Sequence, residues 1–126
     1  MNERNKIIGK LGEDAAAKFL ESKGYEIVAR NFRISTAEID IIARVGETLI
    51  FAEVKARSNL RHGLPAEAVN LRKQKKIISA AGVFLQDENF SDCACRFDVI
   101  EVYVTGNSVF KIRHIENAFE ISGENF

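Results

Sequence analysis

The stretch from Ala37 to Arg57 constrains this chain most, because two strand-like runs, Ala37–Arg44 and Thr48–Arg57, flank the short break Val45-Gly46-Glu47. If Gly46-Glu47 is a two-residue turn, glycine stands at the first central position, where a type II′ hairpin turn needs it. Val45 then faces Thr48, Ile42 faces Phe51, Asp40 faces Glu53 and Glu38 faces Lys55. Facing residues share one side of the sheet, with Cβ atoms about 4.5–5.5 Å apart. Period-two alternation adds Glu53 and Lys55 to a common side. The expected result is a cluster of Glu38, Asp40, Glu53 and Lys55 beside the apolar Ile42, Phe51 and Leu49. A three-residue turn would slip the register and scatter it.

Two carboxylates facing each other repel, and apolar neighbours keep water from screening them. A divalent cation between them removes the repulsion. Oxygen-only ligands suit Mg²⁺ (or Mn²⁺), which takes one or two carboxylates and otherwise keeps water or substrate phosphate. Lys55 adds positive charge for a phosphate oxygen or an attacking water. Phosphodiester hydrolysis needs these groups. The competing reading is a solvent-facing strand edge with a Glu38–Lys55 ion pair of little energetic weight.

The rest of the chain supports a single domain over 1–126, with its core at about 6–120. A chain of 126 residues buries about two-thirds of its unfolded surface, enough to fold without disulfides or structural metal. Ile8, Leu11, Ala15, Phe19 and Leu20 recur at helical spacing before Gly24. Tyr25–Arg33 reads as a strand. A second helix is expected from Pro65 to about Gln86, with a fresh N-cap possible at Asn70, then strands at Arg96–Val104 and Val109–His114. From Glu116 a short helix or frayed tail is expected. The order α-β-β-β-α-β-β implies an α/β fold, a mixed sheet flanked by helices.

Charge is neutral in sum and uneven in place. Eighteen basic and eighteen acidic residues cancel, which excludes a polybasic binder. Between residues 55 and 76, however, Lys55, Arg57, Arg61, Arg72, Lys73, Lys75 and Lys76 stand against Glu67 alone. No apolar run approaches the roughly 18 residues of a membrane span. Cys93 and Cys95 are too close to staple a fold and have no second pair for zinc, so a reduced, cytoplasmic protein is expected. His62 and His114 stand apart, each expected to be structural or exposed.

Several motifs together resemble one family. Gly9-x-x-Gly12-Glu13, Gly24-Tyr25, Arg30-Asn31-x-Arg33, Glu38-Ile39-Asp40-Ile41-Ile42-Ala43, Phe51-x-Glu53-Val54-Lys55-x-Arg57, Lys73-Gln74 and Arg96-Phe97-Asp98-Val99 are similar to the bacterial YraN family over roughly residues 8–120. The resemblance implies a PD-(D/E)XK, restriction-endonuclease-like core near the archaeal Holliday junction resolvases. It also implies Asp40 as the nuclease aspartate, Glu53-x-Lys55 as the Glu-x-Lys motif, and Glu13 as a first-helix glutamate that binds metal through water. Ala37 stands where the family commonly has glycine.

The expected function is a metal-dependent nuclease acting on nucleic acid, DNA favoured and branched forms included. Asp40, Glu53 and Lys55 would be catalytic, with Glu13, Asp40 and Glu53 toward metal and Glu38 behind them. Arg57, Arg61, Lys73, Gln74 and Lys76 would hold the nucleic-acid backbone. A homodimer is compatible with a resolvase-like role. The alternatives are a catalytically silent nucleic-acid-binding protein that keeps the fold, and an interaction protein whose acidic tail and basic segment self-associate.

Overall fold

In a computed structural model, residues 3–58, 69–86, 90 and 92–120 are described. The chain runs α1 (Glu3–Ser22), β1 (Glu26–Ile34), β2 (Ala37–Val45), β3 (Thr48–Arg57), α2 (Leu71–Phe84), β4 (Ala94–Thr105) and β5 (Ser108–Phe119). The five strands form one sheet in sequence order. Three ladders are antiparallel, while β3 and β4 pair parallel from Thr48–Ala94 to Arg57–Tyr103. The expected order α-β-β-β-α-β-β is observed.

Each face of the sheet carries one helix. On one side Ile8, Ala16, Ala17 and Leu20 of α1 bury against Ile41, Ala43, Ile50, Ala52, Ile100, Val102 and Val104. On the other, Ile77, Ile78, Ala80 and Ala81 of α2 bury against Ile42, Leu49, Phe51, Phe97 and Val99. The apolar residues of β3 and β4 therefore point both ways, as strands covered on both faces require. Small residues let α1 lie close. A Cβ placed on Gly12 would stand 3.0 Å from the Ala56 Cβ.

The β2–β3 hairpin forms as its sequence demands. Gly46 has φ +58 and Glu47 is not left-handed, so the turn is not type I′, and Ile41–Val45 pairs with Thr48–Ala52 in the expected register. Ala37 opposite Ile34 has no left-handed backbone either, so alanine is accommodated there. Elsewhere boundaries move. The second helix begins at Leu71, capped by the Asn70 side chain accepting from the Lys73 N–H at 2.9 Å. Pro65, the expected start, lies outside the described residues, as do Arg61 and His62. Just after Glu116 the chain is strand and not helix: β5 continues to Phe119, its backbone adapting through a left-handed Asn117 (φ 52) whose N–H donates to Asp98, and residues 121–126 lie outside the described residues.

Strict alternation fails at one place on β2. Ile39 buries with the α2 cluster and Ile41 with the α1 cluster, so the strand changes face between them. The same change occurs on β1, where Phe32 meets α2 while Arg30 reaches Glu13 and Asp14 on α1. Arg30 pairs with Ile41 and Phe32 with Ile39, which leaves Asn31 and Asp40 opposite one another at the switch. Asn31 is left-handed, with φ 55. Asparagine tolerates that conformation better than other side chains bearing a Cβ.

Candidate functional site

Asp40 stands where the sheet forks. The β2–β3 ladder stops at Ile41–Ala52, after which β3 continues with β4 and β2 continues with β1. A continued register would put Ile39 opposite Val54. Instead the Val54 N–H donates to Asp40 Oδ2 at 2.8 Å, so the carboxylate replaces a lost ladder partner. The price of this position is burial without a cation on the aspartate itself. Burial, together with the nearby charges of Glu53 and Glu13, outweighs the Val54 bond and pushes the Asp40 carboxyl up to about 7.

Glu53, Lys55 and Arg57 follow on β3, on the side facing α2, because Val54 and Ala56 between them pack toward α1. Glu53 is 7% exposed. Its Oε1 is met by Lys55 Nζ at 3.4 Å and, more closely, by Lys73 Nζ from the first turn of α2. The two lysines share one carboxylate and act on each other. Burial and the adjacent Lys73 lower the Lys55 pKa in spite of Glu53. Burial also opposes the Lys73 charge, but hydrogen bonds to Glu53 and Lys55 raise its pKa on balance. The arrangement holds a buried carboxyl group, a lysine that releases its proton more readily than usual, and a second lysine that holds its proton more firmly.

The remaining expected residues fall differently. Glu13 faces this region from α1 and stands 3.8 Å from Arg30 NH2. Glu38 does not face Lys55. The face switch turns it away from Ala37 and Ile39, and it pairs with Arg33 Nε at 3.1 Å. Gln74 donates to the Val69 carbonyl at 3.0 Å, which ties down the approach to α2. Lys73 and Lys76 line a groove of about 460 Å³ with Asn70 and Arg72. Arg57 lies in line with Lys55 on the same face of β3.

Two charged groups in β4 were not singled out from sequence as parts of a site. Glu101, 1% exposed, accepts from the Tyr103 hydroxyl and from Arg57 Nε at 3.4 Å. The signal was a charge inside the run Val99-Ile100-Glu101-Val102, since doubly covered strands are otherwise nearly all apolar. Asp98 is fully buried and heavily bonded. Arg96 grips it bidentately, with Nε and NH2 each at 2.9 Å, His114 Nε2 lies at 2.7 Å, and the Asn117 N–H at 2.9 Å. Arg96 also donates to the Tyr25 hydroxyl at 2.7 Å, and Lys23 to His114 Nδ1 at 2.9 Å. Despite burial, these donors hold the Asp98 carboxyl below its ordinary range. This network ties the α1–β1 connection to β4 and β5, and its central carboxylate is spent on protein donors. Asp98 is thus a structural partner of Arg96, and His114 is buried and structural.

Among the described residues no group of three or more His, Cys, Asp and Glu side chains gathers as a ready metal cage. The donor set that fits a cation is smaller: the half-buried Asp40 and the buried Glu53, two carboxylates whose charges disfavour each other. Mg²⁺ is commonly held by one or two carboxylates, with water and phosphate oxygens completing its shell. Among the described residues no helix is long and apolar enough to cross a membrane. Cys93 and Cys95 are unpaired thiols.

Fold and site together define a two-helix α/β domain with a carboxylate–lysine cluster where its mixed sheet forks. The chain belongs to the uncharacterised protein family UPF0102, the YraN family of the motif resemblance, whose model matches residues 12–102. A UPF0102 protein of Desulforapulum autotrophicum is 49% identical over 120 residues, covering 95% of this chain and 98% of the relative. One from Caldicellulosiruptor saccharolyticus is 45% identical over 120 residues, with 94% and 100% covered. One from Clostridioides difficile is 45% identical over 115 residues, with 91% and 98% covered.

Proposed function

We propose that this protein is a Mg²⁺-dependent (or Mn²⁺-dependent) nuclease that hydrolyses phosphodiester bonds of nucleic acid, DNA in the first instance. The observation that carries the reading is the fork itself, which brings the half-buried Asp40, Lys55 and Lys73 together with the buried Glu53 from three elements. Asp40 and Glu53 would hold the metal, with Glu13 assisting through water. Bound there, the metal would supply phosphoryl polarisation and a water of lowered pKa. Lys55, whose proton is loosely held, orients the attacking water or meets charge developing on the phosphoryl oxygens. Lys73 would be released from Glu53 toward the incoming phosphate, and Lys76 and Arg72 extend the cationic rim along the groove.

Cleavage of single-stranded, duplex and branched DNA, each with Mg²⁺, tests this. Asp40→Ala and Lys55→Ala should each lower the rate by about 100-fold or more. Equal traces of cleavage in wild type and both variants would mean contamination and end the assignment. A second reading rests on the existing Lys55–Glu53–Lys73 contacts, which complete a charge cluster without metal. On that reading the protein binds nucleic acid without turning it over, and salt-sensitive binding survives Asp40→Ala.

A further inference from the structure

Glu101 has a position that packing alone does not explain. It is a buried carboxylate on β4, the Cα partner of Lys55, on the sheet face that carries Glu53, Lys55 and Arg57. One oxygen takes the Tyr103 hydroxyl and the other, among the described residues, takes only Nε of Arg57, at 3.4 Å. The Arg96–Asp98 pair on the same strand shows the alternative: there the guanidinium turns two nitrogens onto the carboxylate. A planar fork gripped through both nitrogens is held for its own sake. Arg57 is instead held by one edge, and its terminal nitrogens have no protein partner among the described residues. Its side chain is 20% exposed.

Arg57 also stands in line with Lys55. Two residues along a strand is a step of about 6.6 Å on one face. That step is comparable to the spacing of successive phosphates along a nucleic-acid strand. A guanidinium whose terminal nitrogens are not taken by any described residue is suited to a phosphate oxygen pair. We propose that Arg57, aimed by the buried Glu101 and Tyr103, forms a second phosphate subsite one strand step from Lys55, so that the substrate is an internal linkage of a continuous strand. Glu101 and Tyr103 are positioning residues, acting through Arg57. The inference rests on the nuclease reading for the identity of the first subsite.

The test uses the full chain and a 5′-labelled oligodeoxynucleotide carrying one uncharged methylphosphonate linkage. With Mg²⁺, wild type should cut the linkage on one side of the neutral position about tenfold more slowly than in the all-phosphate strand, the size of one charged hydrogen bond. Arg57→Ala should cut more slowly overall, through a raised KM, and lose that one-sided protection. Glu101→Gln should weaken the protection and add little to Arg57→Ala in the double variant. Tyr103→Phe carries the same comparison at smaller amplitude if Glu101→Gln does not fold. Protection that persists in Arg57→Ala, or additive losses in the double variant, overturns the subsite. If wild type binds the oligonucleotide but cuts nothing, the nuclease reading falls. Fluorescence anisotropy then decides the subsite, with non-additive affinity losses sustaining it and unchanged affinities overturning it. A wild type that neither cuts nor binds overturns both.

Discussion

Asp40 is asked to do two incompatible things: accept a backbone N–H at the sheet fork and remain close to another buried carboxylate. Its folded pKa of about 7 against an ordinary 3.8 states the conflict as an equilibrium. A carboxyl whose pKa rises on folding favours the folded state when protonated. That contribution is complete below about pH 4 and is lost as pH rises through about 7. Asp40→Asn keeps an acceptor for Val54 and removes the charge, so its melting temperature at pH 8 should exceed that of wild type, the gap closing toward pH 4. A wild-type advantage at pH 8 without added metal would contradict the assignment of strain to this residue. Asn31, across from Asp40, has the opposite role: it supplies backbone freedom. Asn31→Val should cost about 1–2 kcal/mol in denaturant unfolding, and Asn31→Gly much less. The residues of the fork were legible as chemistry in the sequence. Their geometry was not, because period-two alternation cannot show a strand turning over, and the left-handed Asn31 that turns it carries no sequence mark beyond being asparagine.

At the scale of elements, β3 was delimited at its true ends because its turn and alternation agree, and the hairpin register followed from Gly46. The second helix was legible only from its cap onward. The apolar stripe alone does not mark where it starts, and Asn70 decided the start by accepting the Lys73 N–H. Likewise β5 outran its expected end because Asn117 bends rather than terminates it, answering the demand of buried Asp98 for one more donor. How α1 sits on β3 was not legible at all. Gly12 reads as an ordinary helical glycine until Ala56 is found against it. Gly12→Leu should cost about 1–3 kcal/mol by overpacking. It should also displace Glu13 from the fork, so that any metal-dependent activity falls further than the stability loss explains. Chemical denaturation and activity assays on the same preparation separate these two effects.

Over the whole molecule, net neutrality conceals a division of labour between segments. The acidic residues of β4 are largely buried on arginine partners, Asp98 with Arg96 and Glu101 with Arg57, whereas Arg72, Lys75 and Lys76 on α2 remain exposed. The exposed face of α2 is therefore more positive than the composition, and on the proposed function it is the face a polyanion would meet. Binding to single-stranded DNA should weaken steeply with salt. Replacing Lys73 and Lys76 together by Gln should reduce the slope of log K against log salt by about two. An unchanged slope would place the polyanion elsewhere.

The topology has a further consequence, for how the chain comes to be folded. The antiparallel ladders join neighbouring strands through tight turns, so β1–β2–β3 and β4–β5 can each zip locally. The parallel β3–β4 ladder alone must close over the intervening α2 segment, and closing a long loop before its contacts reward it is slow. Glu53 and Lys55 lie on one side of that seam and Glu101 on the other. Pairing β3 with β4 is therefore also what brings Glu101 to Arg57, and a chain with its three antiparallel hairpins formed but this seam open would lack that contact.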